Sequence, residues 1–158
     1  MKIYTIGVYN STEQQFFNKL IDNQINMFCD IRQRRGVRGR DYAFVNSLYL
    51  QEKLSKMSIK YKHIIELAPT SEIREKQKLA DIIKGEHKKD RTRLGITFIQ
   101  EYQKHIKNYN FDTLISSLNN IGADRVVFFC VEEYASACHR SIVAEELHRK
   151  YNFEVIHL

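Results

Sequence analysis

Between Cys130 and Arg140 the chain carries two thiols, two carboxylates, an imidazole and a guanidinium, in the run Cys-Val-Glu-Glu-Tyr-Ala-Ser-Ala-Cys-His-Arg. Val126–Phe129 precede it as an apolar, β-prone segment, and a helical pattern follows it, so the order reads strand, loop, helix. Open α/β sheets build their sites at such strand ends. If Ser136 caps the last helix, Cys138, His139 and Arg140 fall in its first turn, where free N–H groups and the macrodipole favour an anion or a thiolate. An arginine so near a positive helix end points to function, because an anion or a carboxylate must offset it. Cys130 and Cys138 read first as small buried hydrophobes, since free cysteine is among the most buried residue types. Zinc is disfavoured: structural sites pair ligands two to four positions apart and add a fourth residue, and adjacent Cys138 and His139 rarely face one ion. A compact phosphatase loop is absent, Cys130 and Arg140 standing ten positions apart.

A second group surrounds Asp30-Ile31-Arg32 and the loop after it, where Arg32, Arg34, Arg35, Arg38 and Arg40 place five arginines in nine positions. Asp30 and Arg32 are either an internal salt bridge or part of a site. The loop arginines suit phosphate contacts, with Tyr42 and Phe44 just beyond as candidate stacking surfaces. A second basic cluster, Lys84–Arg93, is interrupted by Glu86 and Asp90 and reads as a solvated connector. Gly7 stands alone after the first strand, so neither a phosphate-binding glycine loop nor a dinucleotide fingerprint is present, and no cofactor is expected.

The elements that must position these residues alternate. Strands are predicted at Lys2–Ile6, Asn26–Ile31, Ser58–Glu66, Val126–Cys130 and Phe153–Leu158. A helix with a capping-box pattern at Asn10–Gln15 carries Phe16, Phe17, Leu20 and Ile21. Val45–Met57 is predicted helical with Leu48, Leu54 and Met57 inward, and another helix starts at Thr70-Ser71-Glu72. Two more follow around Ile96–Ile106 and Phe111–Ile121, the second closed by Gly122, and the last spans Cys138–Lys150. The expected fold is α/β: a mainly parallel sheet of about five strands with helices on both faces, a Rossmann-like three-layer sandwich formed by residues 1–158 as one domain. In that arrangement Gly7, Asn10, Asp30, Arg32, Glu132 and Arg140 converge on one sheet edge.

Composition sets the surroundings. The 158 residues are 43% hydrophobic and 28% charged, with a formal net charge of +6 and three cysteines. No apolar stretch approaches the roughly 20 residues a membrane helix needs, and the odd cysteine count suits a reducing compartment. The expectation is a soluble cytoplasmic protein with no membrane contact, an anionic partner such as nucleotide or nucleic acid, and an open oligomeric state.

Thr5-Ile6-Gly7, Asp30-Ile31-Arg32, Glu66-Leu67, Cys130-Val131-Glu132 and Cys138-His139-Arg140 together resemble the domain of unknown function 488 family over nearly the whole chain. Gly36-Val37-Arg38-Gly39 and Leu67-Ala68-Pro69-Thr70 resemble an arginine-rich branch of it. Val8 and Tyr9 stand where many members carry His and Ser, so no histidine role is carried over there. The resemblance implies a compact α/β domain with a site at these residues, and little about the reaction.

Three functions are compatible with these residues. The leading one is an enzyme on a phosphorylated, nucleic-acid-related substrate. In it Gly7, Asn10, Arg32, Cys138, Arg140 and the last helix start hold the anion, and Asp30, Glu132 or His139 moves protons. The second is a non-catalytic nucleic-acid-binding module using the Arg32–Arg40 loop, with Arg34, Arg35, Arg38 and Arg40, together with Lys84–Arg93. The third is thiol chemistry at Cys138 or Cys130.

Overall fold

Five short runs rich in β-branched and aromatic residues pair into one sheet. In the computed structural model, which describes residues 1–158 apart from Arg38 and Lys89, these are β1 (Lys2–Ile6), β2 (Met27–Asp30), β3 (Lys60–His63), β4 (Arg125–Phe129) and β5 (Glu154–His157). Their order is β3-β2-β4-β1-β5 and every pairing is parallel, so the expected α/β sandwich is the observed one. Among the described residues no helix is long and apolar enough to cross a membrane.

Side chains alternate across the sheet with period two, and each face has its own core. On one face α1 (Glu13–Asp22) and α2 (Ser47–Lys56) lay Phe16, Leu20, Leu50 and Leu54 against Tyr4, Phe28, Val127 and Phe129. On the other, α4 (Ile96–Lys107), α5 (Phe111–Asn120) and α6 (His139–Tyr151) cover Ile3, Met27, Val126 and Phe128 with Tyr102, Leu114, Leu118 and Leu147. Helix α3 (Ser71–Lys84) packs on α4, where Lys76 bridges Glu72 and Glu101. The capping box at Thr12 and Gln15 forms as predicted, and Gly122 follows α5 at φ +71°.

Two predictions fail for local reasons. Leu48 is 87% exposed, because the inward stripe of α2 runs through Leu50 and Leu54, four apart, and leaves Leu48 off it. The third strand is shorter than Ser58–Glu66: Ile64 turns inward and a 3-10 turn at Ile65–Leu67 ends the alternation.

The register positions the site. Ile6 and Asp30 both lie level with Phe129, so the chains leaving β1, β2 and β4 start side by side. The chain after β1 goes to the α1 face and the chain after β4 to the α6 face. This divergence opens a crevice at the strand ends, where ligands of open α/β sheets bind.

Candidate active site

The β4–α6 connection is built around close approaches of main chain. Val8 and Tyr9 N–H groups both donate to the Val131 carbonyl at 3.1 Å. A Cβ on Gly7 would lie 1.9 Å from the Glu132 carbonyl oxygen, so only glycine fits there. Arg140, 1% exposed, donates to the carbonyls of Glu132 (2.6 Å) and Glu133 (2.8 Å) and forms no ion pair among the described residues. The offset it needs near a helix start therefore comes from main-chain oxygens.

Helix α6 does not start on Ser136. Ser136 lies in a 3-10 turn, Ala135–Ala137, with its hydroxyl on the Thr92 carbonyl, and the N-cap is Cys138, which makes no side-chain capping bond. Cys138 is extended (φ −139°, ψ 144°) and His139 is the first helical residue, so the chain turns between them. That turn brings both side chains to Cys130, against the expectation that the neighbours diverge. Cys138 Sγ is 3.7 Å from His139 Nδ1, and the ligating atoms of Cys130, Cys138 and His139 all lie within 4.8 Å of one another. His139 Nε2 is 3.0 Å from the Ile31 carbonyl, and its ring meets the Tyr102 ring edge-on at 5.3 Å.

Charge in this cluster is divided unevenly. Burial opposes ionisation of Cys138, but a hydrogen bond from Cys130 and the charges of His139 and Arg140 outweigh it, holding that thiol well below its ordinary value. The same bond to Cys138, with burial, pushes Cys130 well above its own. Burial would lower His139, yet the neighbouring Cys138 sulfur raises it. The Cys130 proton has a second acceptor in reach, Glu132 Oε2 at 3.2 Å.

Glu132 is buried and faces two cations, Lys88 Nζ at 3.2 Å and Arg91 at 3.5 Å from Oε1. Arg91 also donates to Asp81 Oδ2 (2.8 Å) and the Ala137 carbonyl (3.0 Å), and Gln77 donates to Asp81. The residues Gln77, Asp81, Lys88 and Arg91 were not among the candidates. Lys88 and Arg91 belong to the basic cluster Lys84–Arg93, whose Arg91 proves buried rather than solvated, and Gln77 and Asp81 on α3 carried no sequence signal.

On the β2 side, Asp30 is fully buried and takes a bidentate pair from Arg32 (2.9 and 2.7 Å) plus the Tyr61 hydroxyl (2.9 Å). Arg32 further donates to the Val45 carbonyl and lies 4.5 Å over the Phe129 ring. Burial and the Asp30 charge push Tyr61 up to about 12. Of the two readings left open for this pair, the internal salt bridge is present. Asn10, at φ +60°, sits on the rim with its amide on Glu133 and its N–H donating to the Tyr42 hydroxyl.

These walls enclose a cavity of about 550 Å³ lined by Cys130, Glu132, Cys138 and His139, with Tyr9, Arg32, Arg34, Tyr42, Arg74, Lys78, Lys88 and Arg91 among its other residues. Arg34, Arg35 and Arg40 are exposed; Arg40 lines a separate open groove with Asn10, Tyr42 and Tyr49. Arg38 lies outside the described residues.

No curated protein and no solved structure matches the chain. Residues 12–147, most of the chain and all of the Cys130–Arg140 corner, match the family described as Domain of unknown function DUF488. With β2, β3, β4 and most of α6 inside that match, the chain belongs to the DUF488 family.

Proposed function

We propose that this chain is an enzyme acting on a small phosphorylated substrate of nucleotide size, bound in the cavity at the ends of β1, β2 and β4. One observation carries the reading. Glu132 and the Cys130–Cys138–His139 cluster meet in a cavity whose wall also holds Arg34, Arg74, Lys78, Lys88 and Arg91. Its volume falls in the range of small-molecule sites. Tyr9 and Tyr42, ring centroids 5.3 Å apart, line the same cavity and offer faces to a base. Glu132 is the proton carrier, and Lys88 and Arg91 hold it in place. Arg32 and Arg140 shape the walls through their protein partners rather than holding the anion.

Binding of inorganic phosphate and of nucleoside monophosphates at low salt tests this reading. Arg34→Ala and Arg74→Ala together should weaken binding at least tenfold, while Glu132→Gln binds as the wild type does. A wild-type chain that binds neither probe, or a double variant of undiminished affinity, removes the reading. Exposure of Arg34, Arg35 and Arg40 favours a second one, a non-catalytic nucleic-acid-binding module. It requires steeply salt-dependent binding of short DNA or RNA, weakened by changing those arginines and indifferent to Glu132→Gln.

A further inference from the structure

We propose that Cys130, Cys138 and His139 are three ligands of a zinc-class metal ion, with its remaining coordination position open to the cavity. The role of that ion rests on reading the cavity as an active site; the ligand set stands on geometry alone. Zinc bonds of about 2.3 Å to sulfur and about 2.0–2.1 Å to nitrogen put tetrahedral neighbours about 3.6–3.8 Å apart. The Cys138 sulfur and His139 Nδ1 are 3.7 Å apart, and the whole trio fits within 4.8 Å. Little movement is needed to close three such atoms on one ion.

The imidazole supplies an independent argument. Its Nε2 lies 3.0 Å from the Ile31 carbonyl, which can only accept. The proton of the neutral ring is therefore on Nε2, and the Nδ1 lone pair faces the sulfurs. Metal-bound histidines are oriented this way, by donating the other ring N–H to a carbonyl or carboxylate.

Charge and ligand type point to the same class of ion. All three residues are buried, and two thiolates cancel the charge of a divalent ion while the imidazole stays neutral. Two soft sulfurs and one imidazole suit zinc rather than magnesium or calcium. As the ion binds, each sulfur exchanges its S–H bond for a metal–sulfur bond, and up to two protons pass to the buffer. The spacing, one cysteine at the strand end and a Cys-His pair at the helix start, lacks the close ligand pairs of a structural site. It suits a catalytic site, with three protein ligands and one place for water or substrate. Glu132, 3.2 Å from the Cys130 sulfur, lines the same cavity and is the nearby carboxylate for a water held there.

The test uses the full chain, reduced and stripped of metal, titrated with cobalt(II) and then zinc. The expected result is one cobalt per chain, with a sulfur-to-cobalt charge-transfer band and the intense visible bands of a four-coordinate site, both lost as zinc displaces cobalt. X-ray absorption of the zinc form should count two sulfurs. Cys130→Ser and His139→Asn should each lower the affinity at least tenfold, whereas Cys29→Ala, at a core thiol outside the trio, leaves the bands intact. No charge-transfer band in the wild type, or one lost with Cys29 and kept without Cys130, overturns the site. The absorption count needs no variant, so a misfolded variant does not leave the question open. Adding inorganic phosphate to the cobalt form separates the two proposals. Bands that form but ignore phosphate, in a chain that binds no phosphate, keep the metal and remove the active-site reading. Phosphate binding by a chain that refuses cobalt does the reverse.

Discussion

Arg32 and Arg140 are both buried near the strand ends, and the protein uses them differently. Arg32 lies against the Asp30 carboxylate, so its charge is cancelled within the β2 corner. Arg140 lies against two main-chain carbonyls, so it shapes the β4–α6 connection with no carboxylate paired to it among the described residues. The exposed Arg34 forms a third case, lining the cavity with no ion pair among the described residues. Burial and partner separate an arginine that builds a wall from one free to meet a ligand, and residue type alone does not.

The largest expected effect tests the Arg32 half of this contrast. Arg32→Ala strands a fully buried carboxylate and should destabilise the fold by about 3–5 kcal/mol. Removing both charges, as Asp30→Asn with Arg32→Met, should recover most of that loss, because a buried pair replaced by groups of similar volume is often near neutral. Urea unfolding of the three chains measures both numbers. A double variant no more stable than the single one would mean that Arg32 acts through Val45 and Phe129 rather than through Asp30.

Arg140 should behave otherwise. Arg140→Met leaves two carbonyl acceptors without their charged donor, at a cost of about 2–3 kcal/mol. No second side-chain substitution restores it, since the partners are main chain. Gly7→Ala should damage the same connection, because its Cβ meets the Glu132 carbonyl. Unfolding curves, with amide shifts of Val8 and Tyr9 as the local readout, check this; unmoved shifts in Arg140→Met would break the contrast.

That contrast also explains what the sequence disclosed. The sheet was legible because β1, β2, β4 and β5 lie in short apolar runs, β3 alternates Tyr61 and His63 with Lys60 and Lys62, and Thr12 with Gln15 carries its own helix-start signal. The site was legible as a set, since Cys130, Glu132, Cys138, His139 and Arg140 lie within one loop and its helix start. Roles were not. Arg140 binds carbonyls, which every residue has, so nothing in the sequence marks its partners. Arg91 meets Glu132 across 41 positions through a connector that looks solvated. Cys138 and His139 converge only because the helix starts between them, a boundary displaced from Ser136 by one 3-10 turn.

The smallest expected effect uses a histidine to sense which arginine charge is cancelled. His157 on β5 pairs with Thr5 of β1, and its Nδ1 is 2.7 Å from the Thr5 hydroxyl oxygen. Partial desolvation and then the Arg140 charge lower its pKa from 6.5, with Glu145 opposing. A group held below its unfolded value stabilises the fold fully above about 6.5, and that contribution is lost as pH falls through the depressed native value. His157→Gln should therefore flatten the stability profile slightly on the acid side of 6.5 and leave it unchanged above, the effect being small because the residue is exposed. In an NMR titration the His157 midpoint should rise toward 6.5 in Arg140→Met and stay put in the Asp30→Asn, Arg32→Met chain. A midpoint that moves equally in both would mean that the Arg32 charge also escapes its carboxylate, and the two corners would then differ in shape but not in field.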